Sequence, residues 1–122
     1  MKTKPRKIEP VQPRLRIMFG KDIAMGPGKA RLLGLIRETG SISEAARQME
    51  MSYMRAWSLI RTMNGCFREP VVATTRGGKK QGGAQLTATG ESLLQLFEQL
   101  EQECLASTKA TRSAITALLK AK

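Results

Sequence analysis

The chain has no histidine. The side chain used most often as a general base near neutrality, and most often as a metal ligand, is therefore missing. Its two cysteines, Cys66 and Cys104, stand far apart, too few for a disulfide framework or a thiolate metal cluster. No paired-carboxylate motif is present, and no nucleophile has a visible base partner. Only five of the 122 residues are aromatic, so aliphatic side chains and methionine must fill the core. No apolar run approaches the ~20 residues that span a bilayer. The basic N-terminus runs into Glu9-Pro10-Val11-Gln12-Pro13, not into an apolar leader core. These absences predict a protein that is not an enzyme and has no metal, no cofactor and no membrane partner, and they make a reducing cytoplasm the default setting.

What the chain has in abundance is positive charge. Lysine and arginine total 21 against 10 acidic residues, a formal charge of +11. A basic excess on this scale points to a polyanion, with nucleic acid first and an anionic membrane second. The charge is unevenly placed. Residues 1–80 carry all of the net excess, residues 81–108 hold four glutamates and no base, and residues 109–122 are basic again. A nucleic-acid face is expected from the first two thirds, with the acidic stretch turned away from phosphates.

Residues 1–14 hold three prolines and five basic side chains and read as a flexible arm, either solvated or touching phosphates. Leu15–Phe19 can form a short strand, and Gly20–Gly28 reads as a turn. Lys29–Thr39 is helical, with Leu32, Leu33, Leu35 and Ile36 on its apolar face and Gly40 as its C-cap. Ser41 precedes Glu44 at capping-box spacing. Ile42, Ala45, Ala46 and Met49 follow at i, i+3, i+4, i+7. The alanines leave room for a second helix, reached through the short connection Glu50-Met51 and capped by Ser52.

Ser52–Asn64 is the most informative stretch. On a helical wheel Tyr53, Ala56, Trp57, Ile60 and Met63 gather on one side. Met54, Arg55, Ser58 and Thr62 gather on the other, with Arg61 at the border and Asn64-Gly65 ending the helix. Such a helix is about 20 Å long and fits a major groove about 12 Å wide. A short helix, a tight turn and a longer outward-facing helix form a helix-turn-helix. Val71–Arg76 and Ala84–Leu86 then read as two strands joined by the glycine-rich loop 77–83, a wing with Arg76, Lys79 and Lys80 at its tip. That loop has neither Walker nor Rossmann spacing. Arg55 is placed either to form two hydrogen bonds to guanine or to contact a phosphate. Ser52, Tyr53, Arg55, Ser58, Arg61 and Thr62 are the candidate groove residues, Ser41 and Ser43 further candidate DNA-binding residues, and Arg76, Lys79 and Lys80 the candidate backbone contacts.

Thr87–Leu105 reads as a long amphipathic helix capped by Thr87 or Thr89. Leu93, Phe97, Leu100 and Cys104 fall at 4-3-4 spacing, an a/d seam that Leu96 and Leu105 widen. The seam packs either on a second copy or on its own domain, and a small basic domain with little else to cover it favours a homodimer. Residues 106–122 either extend the helix or fray.

Gly40-Ser41-Ile42-Ser43, Met51-Ser52-Tyr53 with Ala56-Trp57, Asn64, Gly77-Gly78, Gly82-Gly83-Ala84 and Leu86-Thr87 with Gly90 together resemble the N-terminal DNA-binding domain of the ModE family of molybdate-responsive regulators. The resemblance covers about residues 15–105, and LysR-type regulators share the architecture. It implies a mainly α (α+β) winged helix-turn-helix with a two-stranded wing and a long C-terminal dimerisation helix, binding operator DNA. Met54 stands where a basic residue is common in that family. The family's molybdate-binding domains follow the long helix, so no direct molybdate binding is expected of these residues. The expected organisation is a basic arm (1–14), a DNA-binding domain (15–88), a dimerisation helix (89–108) and a basic tail (109–122). The expected function is sequence-specific double-stranded DNA binding by a homodimer on a palindromic operator. Two alternatives remain open: a protein-interaction module that pairs with a full-length regulator, and a non-specific architectural DNA binder.

Overall fold

A computed structural model describes residues 11–75 and 83–120. The described residues form an α+β arrangement of five helices and two small antiparallel sheets. Strands β1 (Ile17–Phe19) and β2 (Asp22–Met25) pair first, followed by α1 (Pro27–Thr39), α2 (Ile42–Gln48) and α3 (Tyr53–Cys66). Strands β3 (Val72–Thr75) and β4 (Gly83–Leu86) pair next, and α4 (Ala88–Ser107) and α5 (Lys109–Thr116) close the chain.

The sequence cues at the helix starts are used. Ser41 Oγ accepts from the Glu44 amide, Ser52 Oγ from the Arg55 amide and Thr87 Oγ1 from the Gly90 amide, each at 3.0 Å. Each hydroxyl thereby satisfies one of the orphan donors of a helix's first turn. Gly40 ends α1 in the left-handed region at φ 70°, which glycine enters without a Cβ penalty.

One core joins every element from β2 to α4. Leu32, Leu33 and Ile36 of α1 meet Ile42, Ala45 and Ala46 of α2, and Ala56, Ile60 and Met63 of α3. Met25, Val71, Val72, Ala84, Leu86, Leu94 and Phe97 complete it. Packing thus runs from the segment before residue 88 straight into α4.

Five expectations need correction. The segment 20–28 is not a single turn, because Asp22–Met25 forms β2, whose apolar end buries Ala24 and Met25. Helix α1 begins at Pro27 instead of Lys29, with proline in the first turn, where its missing N–H costs nothing. Helix α3 runs past Asn64-Gly65 to Cys66. Phe97, placed in the dimer seam, is 1% exposed and belongs to the chain's own core. The inward face of α4 is Gly90, Leu94 and Phe97, one step round from the expected seam. The segment after residue 106 forms a separate helix, α5, after a break at Thr108, whose Oγ1 donates to the Cys104 carbonyl at 2.7 Å.

Candidate nucleic-acid interface

The geometry between α2 and α3 is fixed by backbone hydrogen bonds. The Met51 amide donates to Ala46 O at 3.0 Å and the Glu50 amide to Arg47 O at 3.0 Å, the paired bonds of a Schellman ending. Glu50 holds the left-handed position at φ 57°, where glycine is more usual. Ala45 and Ala46 are buried at the crossing, so the backbone of α3 comes close to α2. Arg47 and Gln48 hydrogen-bond the Glu44 carboxylate and hold its pKa below the ordinary range, Arg47 contributing most. Glu44 therefore does not return to the Ser41 amide, which donates instead to Thr39 Oγ1 at 3.2 Å. The box is half made.

With Ala56, Ile60 and Met63 facing inward, the outward side of α3 is Ser52, Met54, Arg55, Ser58 and Arg61, all exposed. Met54 is 74% exposed, so an apolar side chain stands in the middle of this polar face. Tyr53, on the core side of the wheel yet also a groove candidate, is 41% exposed, and its ring stacks edge-on against Trp57 with centroids 6.4 Å apart. Trp57 is half-buried against the core. Thr62 is half-buried, and its hydroxyl donates to the Ser58 carbonyl at 3.1 Å. Ser41 and Ser52 use their oxygens as caps and keep their O–H donors for a further partner. Ser43 is exposed beside Ser41.

The β3–β4 pair is tied to this unit at two points. Asn64 Oδ1 accepts from the Val71 and Val72 amides at 2.8 and 3.3 Å, and its Nδ2 donates to Val72 O at 3.4 Å. The Ala84 amide donates to Gly40 O at 3.1 Å, beside a bridge between Ser41 and Gly83. The strands therefore leave from the last turns of α3 and return to the α1–α2 junction. Arg76, Lys79 and Lys80 lie outside the described residues.

Three cations gather where α1 begins. Lys29 is 9% exposed, yet it makes no hydrogen bond or ion pair among the described residues. Burial lowers its pKa, assisted by the charges of Arg55 and Arg16 and opposed by Cys66 and Asp22. Nothing in the sequence marks Lys29 apart from other lysines, because its burial is a product of tertiary packing.

The seam residues divide. Leu96 is 61% and Leu100 38% exposed, Leu93 and Cys104 are half-buried, and Phe97 is internal. Leu105 at the end of α4 and Ile17, Met18 and Phe19 of β1 are also exposed. Among the described residues no helix is long and apolar enough to cross a membrane, and no group of three metal-ligating side chains occurs.

No family model matches the chain. Among curated proteins it is 44% identical over 77 residues to the molybdenum-pterin-binding protein MopB of Rhodobacter capsulatus, covering 63% of this chain and 28% of that protein. It is 38% identical over 88 residues to the transcriptional regulator ModE of Haemophilus influenzae, covering 72% and 34%. It is 41% identical over 88 residues to the DNA-binding transcriptional dual regulator ModE of Escherichia coli, again covering 72% and 34%. The matches thus span about a third of these relatives' length. They place the likeness with a molybdenum-related group of regulators and binding proteins.

Proposed function

We propose that this chain, similar to part of molybdenum-related transcriptional regulators, is a winged helix-turn-helix that binds double-stranded DNA and regulates transcription. The observation that carries the reading is the exposed face of α3. Ser52, Met54, Arg55, Ser58 and Arg61 stand together on a rigid helix, and a strand pair is pinned beside its end by Asn64. A helix with this face bare and its other side in the core is built to enter a groove. Arg55 and Arg61 supply guanidinium donors that suit guanine edges or phosphates. The residues of the 76–82 segment, Arg76, Lys79 and Lys80, are assigned to the flanking backbone by their charge and sequence position. The likeness to proteins named as transcriptional regulators supports the same reading.

We further propose that the protein acts as a homodimer. Leu96 and Leu100, with Leu93 and Cys104 at their flanks, form the self-contacting strip on α4. A two-fold axis between two α3 helices requires an inverted-repeat site with half-sites about 34 Å apart. The molybdenum connection is carried over as a regulatory setting from the relatives' names, and no molybdate binding by these residues is proposed.

Selection of bound fragments from random duplex DNA tests the reading. Recovery of an inverted repeat supports it. With about six phosphates neutralised, log K against log salt should fall with a slope near −5. Equal affinity for every sequence sinks the regulator in favour of an architectural binder. Absence of duplex binding alongside tight binding of another protein sinks it in favour of an interaction module.

A further inference from the structure

We propose that the first turn of α1 holds one phosphate of the DNA backbone, gripped by Lys29 together with Arg16 and Arg55. The proposal rests on the DNA-binding reading and adds to it a contact centred on the start of α1.

The N-terminus of α1 is unusually bare. Its N-cap is Gly26, which has no side chain to offer, and Pro27 follows. No acidic residue lies in the first turn. The Gly28 and Lys29 amides therefore belong to a helix start with no side-chain acceptor, and the helix dipole favours an anion there. Such a start is not a site by itself. Lys29 makes it one. Its stem is enclosed, and its ammonium emerges at the edge, since no buried side-chain nitrogen is left without a partner. The Cα–Cβ bond of a helical residue tilts toward the N-terminus of its helix, so the Lys29 stem sets out toward its own first turn. Arg16 arrives from the residue before β1. A Cβ placed on Gly26 would touch Arg16 Cγ at 3.5 Å, so Arg16 lies across the helix start. Arg55 approaches from the first turn of α3.

The charges facing Lys29 are Arg16 and Arg55, the Asp22 carboxylate of β2 and the Cys66 thiol of α3. Asp22 is exposed and forms no ion pair with Lys29. Three cations against one carboxylate leave an excess of positive charge around a largely buried lysine. Gathering cations in this way is unfavourable without an anion. One phosphate oxygen set answers the excess, accepts from Lys29 and takes up the bare amides. Because Arg55 belongs also to the exposed face of α3, the phosphate is one that borders the groove in which α3 sits.

The test uses the full chain, a selected duplex and a random duplex, with affinity followed by anisotropy across a salt series. Lys29→Met keeps the apolar stem and removes the charge. It should make the log K against log salt slope about 0.9 shallower. It should also weaken both duplexes by the same factor, roughly three- to tenfold at 0.1 M salt, because a phosphate contact carries no sequence information. Lys29→Arg should keep the wild-type slope. Lys29→Met with a wild-type slope and a native melting curve overturns the proposal. If Lys29→Met does not fold, the exposed Arg16→Met decides: a slope shallower by nearly one supports the proposal, and an unchanged slope overturns it. Inorganic phosphate titrated into the wild-type protein without DNA separates the sources. Micromolar saturation of the Gly28 and Lys29 amide resonances, with no slope change in either variant, assigns the site to a free oxyanion and overturns the DNA assignment. Wild-type protein that binds no duplex defeats the functional reading itself, an outcome distinct from all of these.

Discussion

Replacing Gly90 by alanine should destabilise the protein, although alanine is the better helix former. Gly90 lies in the first turn of α4, fully enclosed against the segment that precedes β3. A Cβ built there overlaps the Val71 carbonyl oxygen outright, and stands 3.1 Å from the Val71 carbonyl carbon and 3.3 Å from Leu86 Cβ. The first two of these atoms are backbone and cannot rotate aside. The Val71 oxygen is also committed, accepting from the Thr87 amide at 3.0 Å. Thr87 Oγ1 donates to Pro70 O at 2.6 Å, which holds α4 to the same segment a second time. Relief therefore requires α4 and residues 70–71 to separate by about 1 Å, which loosens both bonds and the seating of Leu94 and Phe97.

Overpacking of this kind costs about 1–3 kcal/mol. Losing one backbone hydrogen bond adds about 1 kcal/mol, and the helix-propensity gain returns at most about 1 kcal/mol. The expected net is a loss of about 1–3 kcal/mol, or roughly 4–12 °C in Tm for a domain of this size. Gly34, inside α1, provides the control, because a Cβ there meets nothing within 4 Å. Gly34→Ala should raise stability by up to about 1 kcal/mol through propensity alone. Urea titration and thermal melting by circular dichroism, at one protein concentration, read both variants. A Gly90→Ala protein as stable as Gly34→Ala would refute the reasoning.

Asn64→Ala should cost about 1–3 kcal/mol in urea titration, since the buried Val71 and Val72 amides lose their acceptor, whereas Asn64→Asp should lose less by keeping an acceptor oxygen. Leu96→Glu should turn dimers into monomers in sedimentation with little change in the monomer's melt, while Phe97→Ala should cost about 3–5 kcal/mol of stability because Phe97 is internal. A dimer that survives Leu96→Glu places self-association elsewhere. Lys29 has a pKa below 10.5 in the folded protein, so in the alkaline window just under 10.5 the unfolded chain binds more protons than the native one. Stability should therefore gain from Lys29 as pH rises through that window and carry its full deficit below it. Subtracting the Lys29→Met stability profile from the wild-type profile should expose this rise, and parallel profiles would contradict it.

The parts of the fold that were legible in the sequence rest on local chemistry. Ser41, Ser52 and Thr87 announce helix starts because a short hydroxyl side chain satisfies an amide three residues on. Gly40 announces a stop because its left-handed φ suits glycine. The parts that were not legible depend on partners distant in sequence. Strand β2 hides between Gly20 and Gly26-Pro27-Gly28, and only its pairing with β1 makes those four residues a strand. Asn64-Gly65 reads as a stop, but Asn64 serves the strand that follows and the helix simply continues past Gly65. Of the candidate groove residues, Arg55 and Ser58 emerge as the period predicts, Arg61 at the border is exposed as well, and Thr62 from the outward side is half-buried. Tyr53 turns outward because it sits on the first turn, beyond the reach of the core, and its ring leans on Trp57.

The rotation of α4 shows the same limit more sharply. Leu93, Leu94, Leu96, Phe97 and Leu100 cover an apolar arc wider than one contact needs, so periodicity leaves the inward direction undetermined. The deciding residue is the smallest on the helix. Only at Gly90 can the helix backbone close on the Val71 carbonyl, and that approach turns the residues four and seven positions later, Leu94 and Phe97, into the core. Leu96 and Leu100 are then carried outward by the same rotation. The core contact and the proposed self-association strip are thus not independent features. Any change that rolls α4 to relieve Gly90 also rolls the strip, so Gly90→Ala should disturb dimerisation and stability together, whereas Leu96→Glu should disturb dimerisation alone.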